Sequence, residues 1–148
     1  MTSDGIDGAD WDRVHELAVD VVNCSAAEDH AGGARARAFL IALLDQLDEK
    51  YGPRPSLLAT RADYVDSSDQ REQLLLSAYA EADRIADDTN RELIADSLTH
   101  YYIEEVPNLD EGARWLGIWR SALGTELEAN DQHELARLES ILLGQRAG

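Results

Sequence analysis

The sequence predicts an all-α protein, an array of antiparallel helical hairpins with about seven helices, the last serving as a cap. Three observations carry this expectation. Apolar residues recur at steps of three and four from Trp11 onward. Ala and Leu, strong helix formers, supply most of the apolar set. Capping signals return about every twenty residues, at Asp69, Thr89, Asn108 and Asp131, so a helix and its turn form the unit and a hairpin takes two such units.

Residues 1–9 are rich in Gly and Asp and read as a disordered lead-in. The single domain is expected over 10–144, with 145–148 as a short tail. Trp11, Val14, Ala18 and Val21 lie on one stripe of a first helix. Asn23 to Gly33 mixes Ser, Asp and paired Gly and reads as a loop. A second helix carries Leu40, Leu43, Leu44, Leu47 and Tyr51 on one face, and Gly52 and Pro53 stop it.

Pro55 suits the first turn of a third helix, where its missing N–H costs nothing, and Leu57, Leu58, Ala62 and Val65 follow. Asp69 with Glu72 opens a fourth helix, whose stripe runs through Leu75, Ala78, Tyr79, Ala82 and Ile85. Thr89 with Glu92 opens a fifth, through Ile94, Leu98, Tyr101 and Tyr102 to Pro107. Asn108 with Glu111 opens a sixth, with Trp115, Leu116 and Trp119 before Gly124. Asp131 with Glu134 opens the seventh, through Leu135, Leu138 and Leu142. Short turns make neighbours antiparallel, which pairs helices one with two, three with four and five with six.

Composition narrows the function classes. Thirty acidic against thirteen basic residues give a net charge of −17, a field that repels phosphate backbones and anionic lipid headgroups. Neither nucleic acid nor a membrane surface is expected as a partner. The longest apolar runs fall far short of the roughly 20 residues of a membrane span, and the first ten residues lack a signal-peptide pattern. Cys24 is the sole cysteine, with no cationic neighbour in sequence to activate it. The expectation is a cytoplasmic monomer or weak homodimer.

Catalytic and cofactor motifs are missing from the sequence. There is no Glu-x-x-His pair, no His-Glu-x-x-His and no Gly-rich phosphate loop after a strand. Asp4, Asp7 and Asp10 are spaced by three, whereas a calcium loop uses alternate positions. No metal or cofactor and no catalytic residue is assigned. The one acid–base pair at helical spacing is Asp96 with His100, where a carboxylate orients and charges an imidazole or forms a surface ion pair.

Tyr101 to Leu116, reading YYIEEVPNLDEGARWL, resembles the middle of a tetratricopeptide repeat, with an aromatic ending one helix, a polar turn, and a small residue in the next. Leu58, Ala59 and Ala62, followed by Leu75 and Ala78, resemble a second copy, so the likeness spans residues 54–123. Tyr102 and Ala113 stand further apart than the family pattern, and Arg71 replaces a small residue. The resemblance implies a right-handed, TPR-like array that holds a peptide or partner protein in a groove.

The expected function is a non-enzymatic protein–protein interaction module. Helices three and five present Arg61, Tyr64, His100 and Tyr101 to a protein or peptide partner, and Trp115 joins them from the aromatic cluster of Tyr101, Tyr102, Trp115 and Trp119. Two alternatives stand beside it. One is an acidic inhibitor or immunity-type protein that neutralises a basic partner, motivated by the net charge. The other is a small enzyme using Asp96 and His100.

Overall fold

The computed structural model describes residues 1–147. Among these the chain forms seven α-helices and no strand. They are α1 (Gly8–Ala26), α2 (His30–Tyr51), α3 (Pro55–Ala62), α4 (Ser68–Arg84), α5 (Asp88–His100), α6 (Leu109–Leu123) and α7 (Ala129–Ala147), and a π-helical turn, Tyr101–Glu105, extends α5. The expected all-α class with about seven helices is the observed one. The most extensive packing is of α1 on α2, α5 on α6 and α3 on α4, and α4 also packs on α5. No helix among the described residues is long and apolar enough to cross a membrane.

Two apolar clusters form the core. In one, Ile6, Val14, Leu40, Leu43, Leu44, Leu47 and Leu57 join the N-terminal segment, α1 and α2 to the start of α3. The other runs from Ala62 on α3 through Leu75, Ile94, Leu98, Trp115 and Trp119 to Leu138 and Leu142 on α7. The short α3 therefore touches both clusters. Leu57 faces the first and Ala62 the second, which couples the first hairpin to the rest.

The lead-in is folded, in contrast to the expectation. Ile6 is fully buried in the first cluster and Asp4 is buried beside it. The physical reason lies at the start of α3, whose N-cap position holds Arg54 with no side-chain capping bond, followed by Pro55. Asp4 does the capping from a distance, its Oδ2 accepting from Ser56 N at 2.7 Å. Asn90 Nδ2 donates to Ser3 Oγ at 3.1 Å, so the same segment also reaches α5. An orphan helix N–H satisfied by a remote carboxylate has no local sequence signature. At the other end α7 continues through 145–147, and position 148 of the expected tail lies outside the described residues.

Cap positions shift slightly from the expected ones. Ser67, not Asp69, caps α4 by accepting from Gln70 N, and Asp87, not Thr89, caps α5 by accepting from Asn90 N. Asp69 and Asp88 sit instead in the first turns, where their charge complements the helix dipole. Asn108 caps α6 as expected, accepting from Glu111 N. The loop expected over Asn23–Gly33 shrinks to residues 27–29, because Asp29 caps α2 through Gly32 N.

The π-helical turn departs from the expected plain helix. Tyr101, Tyr102 and Ile103 are all buried, because α4, α6 and α7 surround this end of α5. The widened turn closes with Val106 N donating to Tyr101 O at 2.8 Å, a bond five residues long. Tyr101 Oη donates to Ser68 O and Tyr102 Oη to Glu72 Oε2, which fixes the turn on α4.

Candidate functional site

The five side chains expected to bind a partner do not converge. Tyr101 and Trp115 are core residues. Trp115 meets Tyr79 edge-on with ring centroids 4.8 Å apart, and its exposed neighbour Arg114 lies over the indole. Arg61 turns toward α2, where Nη2 donates to Asp45 at 2.9 Å and Asp48 at 2.8 Å. Tyr64 packs on the first core cluster, and its carbonyl accepts from Arg37. Helical spacing identifies apolar stripes, but an aromatic on a stripe with neighbours on three sides becomes core and not groove.

His100 forms an interhelical junction. Nδ1 donates to Asp96, 2.8 Å from Oδ1 and 2.9 Å from the backbone carbonyl, and Nε2 donates to Glu134 Oε1 on α7 at 2.7 Å. Asp96 is the leading cause that raises the His100 pKa to about 9, against the opposing effect of burial. Glu134 is held down to about 2 by Arg137 first and His100 second. Arg137 also donates to Glu104 at 2.6 Å, tying the π-helical turn into the same network. With both ring nitrogens donating to carboxylates, His100 has no lone pair to offer as a general base. The pair singled out as an acid–base candidate is thus arranged as a structural ion pair.

A groove does run along α3 and α5, the helices expected to present one, but other residues line it. It lies where α1, α3 and α5 approach each other and has a volume of about 160 Å³. Trp11 contributes from α1; Ser56, Ala59 and Thr60 from α3; Leu93 and Ser97 from α5. Its rim holds Asp63 and its floor Asn90 and Ile94. Leu93 is 58% exposed although it belongs to a well-packed helix.

The polar groups at the groove fall into two sets. Asn90 is buried and donates to Asp87 Oδ2 at 2.6 Å and to Ser3 Oγ. Burial pushes the Asp87 carboxyl up, but the Asn90 side-chain and backbone bonds outweigh it and hold the pKa below the usual range. Ser56 is 7% exposed and its Oγ has no hydrogen-bond partner, although the backbone N–H of the same residue is satisfied by Asp4. A buried unpaired hydroxyl costs about 1–3 kcal/mol, and Arg54 Nε, Arg71 Nε and Trp115 Nε1 are likewise buried without a hydrogen-bond partner.

A larger cleft of about 670 Å³ lies among α4, α5 and α6, walled by Tyr79, Arg91, Arg114 and Ile118. Its cations are already neutralised. Arg91 pairs with Asp83 and Asp88, and Arg114 with Glu111.

Two signals for the α1–α3–α5 groove were present in the sequence. Leu93 stands one position off the Ile94–Leu98–Tyr101 stripe, and Trp11 begins the apolar stripe of α1. Ser56, Thr60 and Ser97 carry no such signal, since small polar residues fit any helix surface. No family model matches the chain, and neither a curated protein nor a solved structure does.

Proposed function

We propose that this protein is a non-enzymatic interaction module that holds a peptide or a segment of a partner protein in the groove between α1, α3 and α5. The observation that carries the reading is Leu93, 58% exposed, in a groove between consecutive hairpins that Trp11 and Ala59 also line. An exposed aliphatic side chain in an open groove suits a ligand that brings an apolar side chain. Residues of α1, α3 and α5, one helix from each successive hairpin, line the groove. The His100 network supports a structural, non-catalytic role for the Asp96–His100 pair.

The test is a selection of random displayed short peptides on the whole chain, followed by affinity measurement on wild type and Leu93→Glu. Leu93 is exposed, so the substitution preserves the fold, and circular dichroism checks this. Enriched peptides are expected to bind wild type and to weaken about tenfold or more on the variant, the loss typical of a contact worth over 1 kcal/mol at the centre of an interface. Failure to enrich any peptide sensitive to Leu93 overturns the reading.

A second reading, an acidic inhibitor of a basic partner, has one observation in its favour. Asp12, Glu16 and Asp20 are exposed one turn apart along α1, and among the described residues none is in an ion pair. Elsewhere the charges are interleaved. Most arginines pair with carboxylates, including Arg37 with Asp66 and Arg71 with Asp63 and Glu105. Charge reversal of Asp12, Glu16 and Asp20 together separates the readings, since only the inhibitor reading expects it to abolish partner binding while Leu93→Glu leaves binding intact.

A further inference from the structure

We propose that the outer face of the first hairpin is a second binding surface, separate from the α1–α3–α5 groove, and that it takes an amphipathic helix carrying a row of Lys or Arg beside its apolar stripe. An exposed aromatic in an open interhelical groove and unpaired carboxylates at helical spacing along its edge specify this occupant.

The apolar part lies between α1 and α2. Phe39 is 65% exposed, on a helix that buries Leu40, Leu43, Leu44 and Leu47. It lines an open groove together with Leu17 of α1 and Ala42 of α2. The short α3 lies on the opposite flank of α2, because Arg61 bonds to Asp48, half a turn round the helix from Phe39. The trough between two packed helices is the shape into which the side-chain ridge of a third helix fits.

The charged part runs along α1. Glu16 lines the groove, and Asp12 and Asp20 stand one turn before and after it. All three are exposed, and among the described residues none is in an ion pair. Four residues of α-helix rise by about 6 Å, so these carboxylates repeat at the spacing of cations placed at i, i+4 and i+8 on a helix lying alongside. Arg13 at the groove and Arg35, one turn before Phe39, are the opposing cations. With Asp12, Glu16 and Asp20 on α1 and Glu49 one turn beyond Gln46 on α2, the face stays anionic, and the whole chain adds its −17. A basic helix is drawn to this field. A second copy is not, since a two-fold contact sets each acidic stripe close to its own counterpart.

The probe is a synthetic helical peptide of about 15 residues, roughly four turns, with Leu on one stripe and Lys on the adjacent row. One control has the same residues scrambled, and another keeps the Leu and Lys positions but carries a central Pro that breaks the helix. The probe is expected to bind the full chain at one site, about tenfold more tightly than either control. Phe39→Ser and Ala42→Arg, both at exposed positions and checked by circular dichroism, are each expected to weaken it about fivefold or more. Neutralising Asp12, Glu16 and Asp20 together to the amides is expected to weaken it about tenfold and to flatten its salt dependence. Leu93→Glu is expected to bind it as wild type does. Equal binding of either control, or indifference to both Phe39→Ser and Ala42→Arg, reveals only diffuse attraction to an acidic protein and overturns the proposal. A free chain that sediments as a dimer dissociated by Phe39→Ser overturns it too, because a second copy then covers this face. Either result leaves the α1–α3–α5 reading standing, which is tested through Leu93.

Discussion

His100 on α5 donates through Nε2 to Glu134 on α7 at 2.7 Å, and this contact joins the terminal helix to the hairpin before it. The packing of α7 on α6 is sparse compared with that within the hairpins, and the polar junction docks α7 together with its buried Leu135, Leu138 and Leu142.

The junction makes stability depend on pH in a direction that follows from its two partners. In the unfolded chain His100 titrates near 6.5, and in the folded protein near 9. Its contribution is complete below about pH 6.5, declines as pH rises and is gone above about 9. Glu134 is depressed from 4.5 to about 2, so its contribution is complete above about pH 4.5 and is lost as pH falls toward 2. Urea midpoints are expected to be highest near pH 5–6 and to fall toward pH 9. His100→Leu is expected to cost about 1–2 kcal/mol at pH 6 and to flatten the fall between 6.5 and 9. An unchanged alkaline slope in that variant contradicts this account.

The N-terminal segment is expected to behave as part of the fold. Asp4→Ala removes the one side-chain cap on the first turn of α3 among the described residues and is expected to cost about 1–2 kcal/mol, whereas Asp4→Asn keeps an acceptor and most of the stability. Ile6→Ala, at a fully buried position, is expected to cost about 2–5 kcal/mol. Denaturant titration measures both. Values within about 0.5 kcal/mol of wild type, usual for a surface substitution, contradict the packing of this segment.

Gly112 sits where α6 closely approaches the π-helical turn and α7. A Cβ there lies 2.9 Å from Ile103 Cγ1 and 3.3 Å from Leu142 Cδ2. Ile103 and Leu142 are buried, so neither yields without disturbing the π-helical turn or α7. Overpacking of about 1–3 kcal/mol is set against a helix-propensity gain of up to about 1 kcal/mol. Gly112→Ala is thus expected to lower stability by about 1–2 kcal/mol, whereas Gly117→Ala, with open space around it, is expected to raise it slightly. Thermal midpoints of the two variants, compared side by side, check the difference.

The fold was largely legible because its signals are local. Helical periodicity and turn chemistry act over a few residues, and they located every helix, with caps displaced by two positions at Ser67 and Asp87 and with α7 starting at Ala129, ahead of the expected cap Asp131. Asp4 and Ile6 were missed because their partners lie on α3 and in a core formed by α1 and α2, far along the chain. The π-helical turn was missed because it answers to three surrounding helices, and nothing in YYIEE demands a wider turn. The candidate site was legible only as a pair of helices. Which face of α3 and α5 opens to the groove depends on how the hairpins pack, so Arg61, Tyr64 and His100 were expected where Ser56, Thr60 and Leu93 stand.

The most direct measurement of the interaction reading is chemical-shift mapping of a selected peptide on the isotopically labelled full chain. The Trp11 indole N–H, the Leu93 methyls and the Ser56 and Ser97 amides are expected to shift together and to saturate with one affinity. Shifts confined to α1 around Asp12, Glu16 and Asp20, or to α7, with the Leu93 methyls unmoved, contradict it.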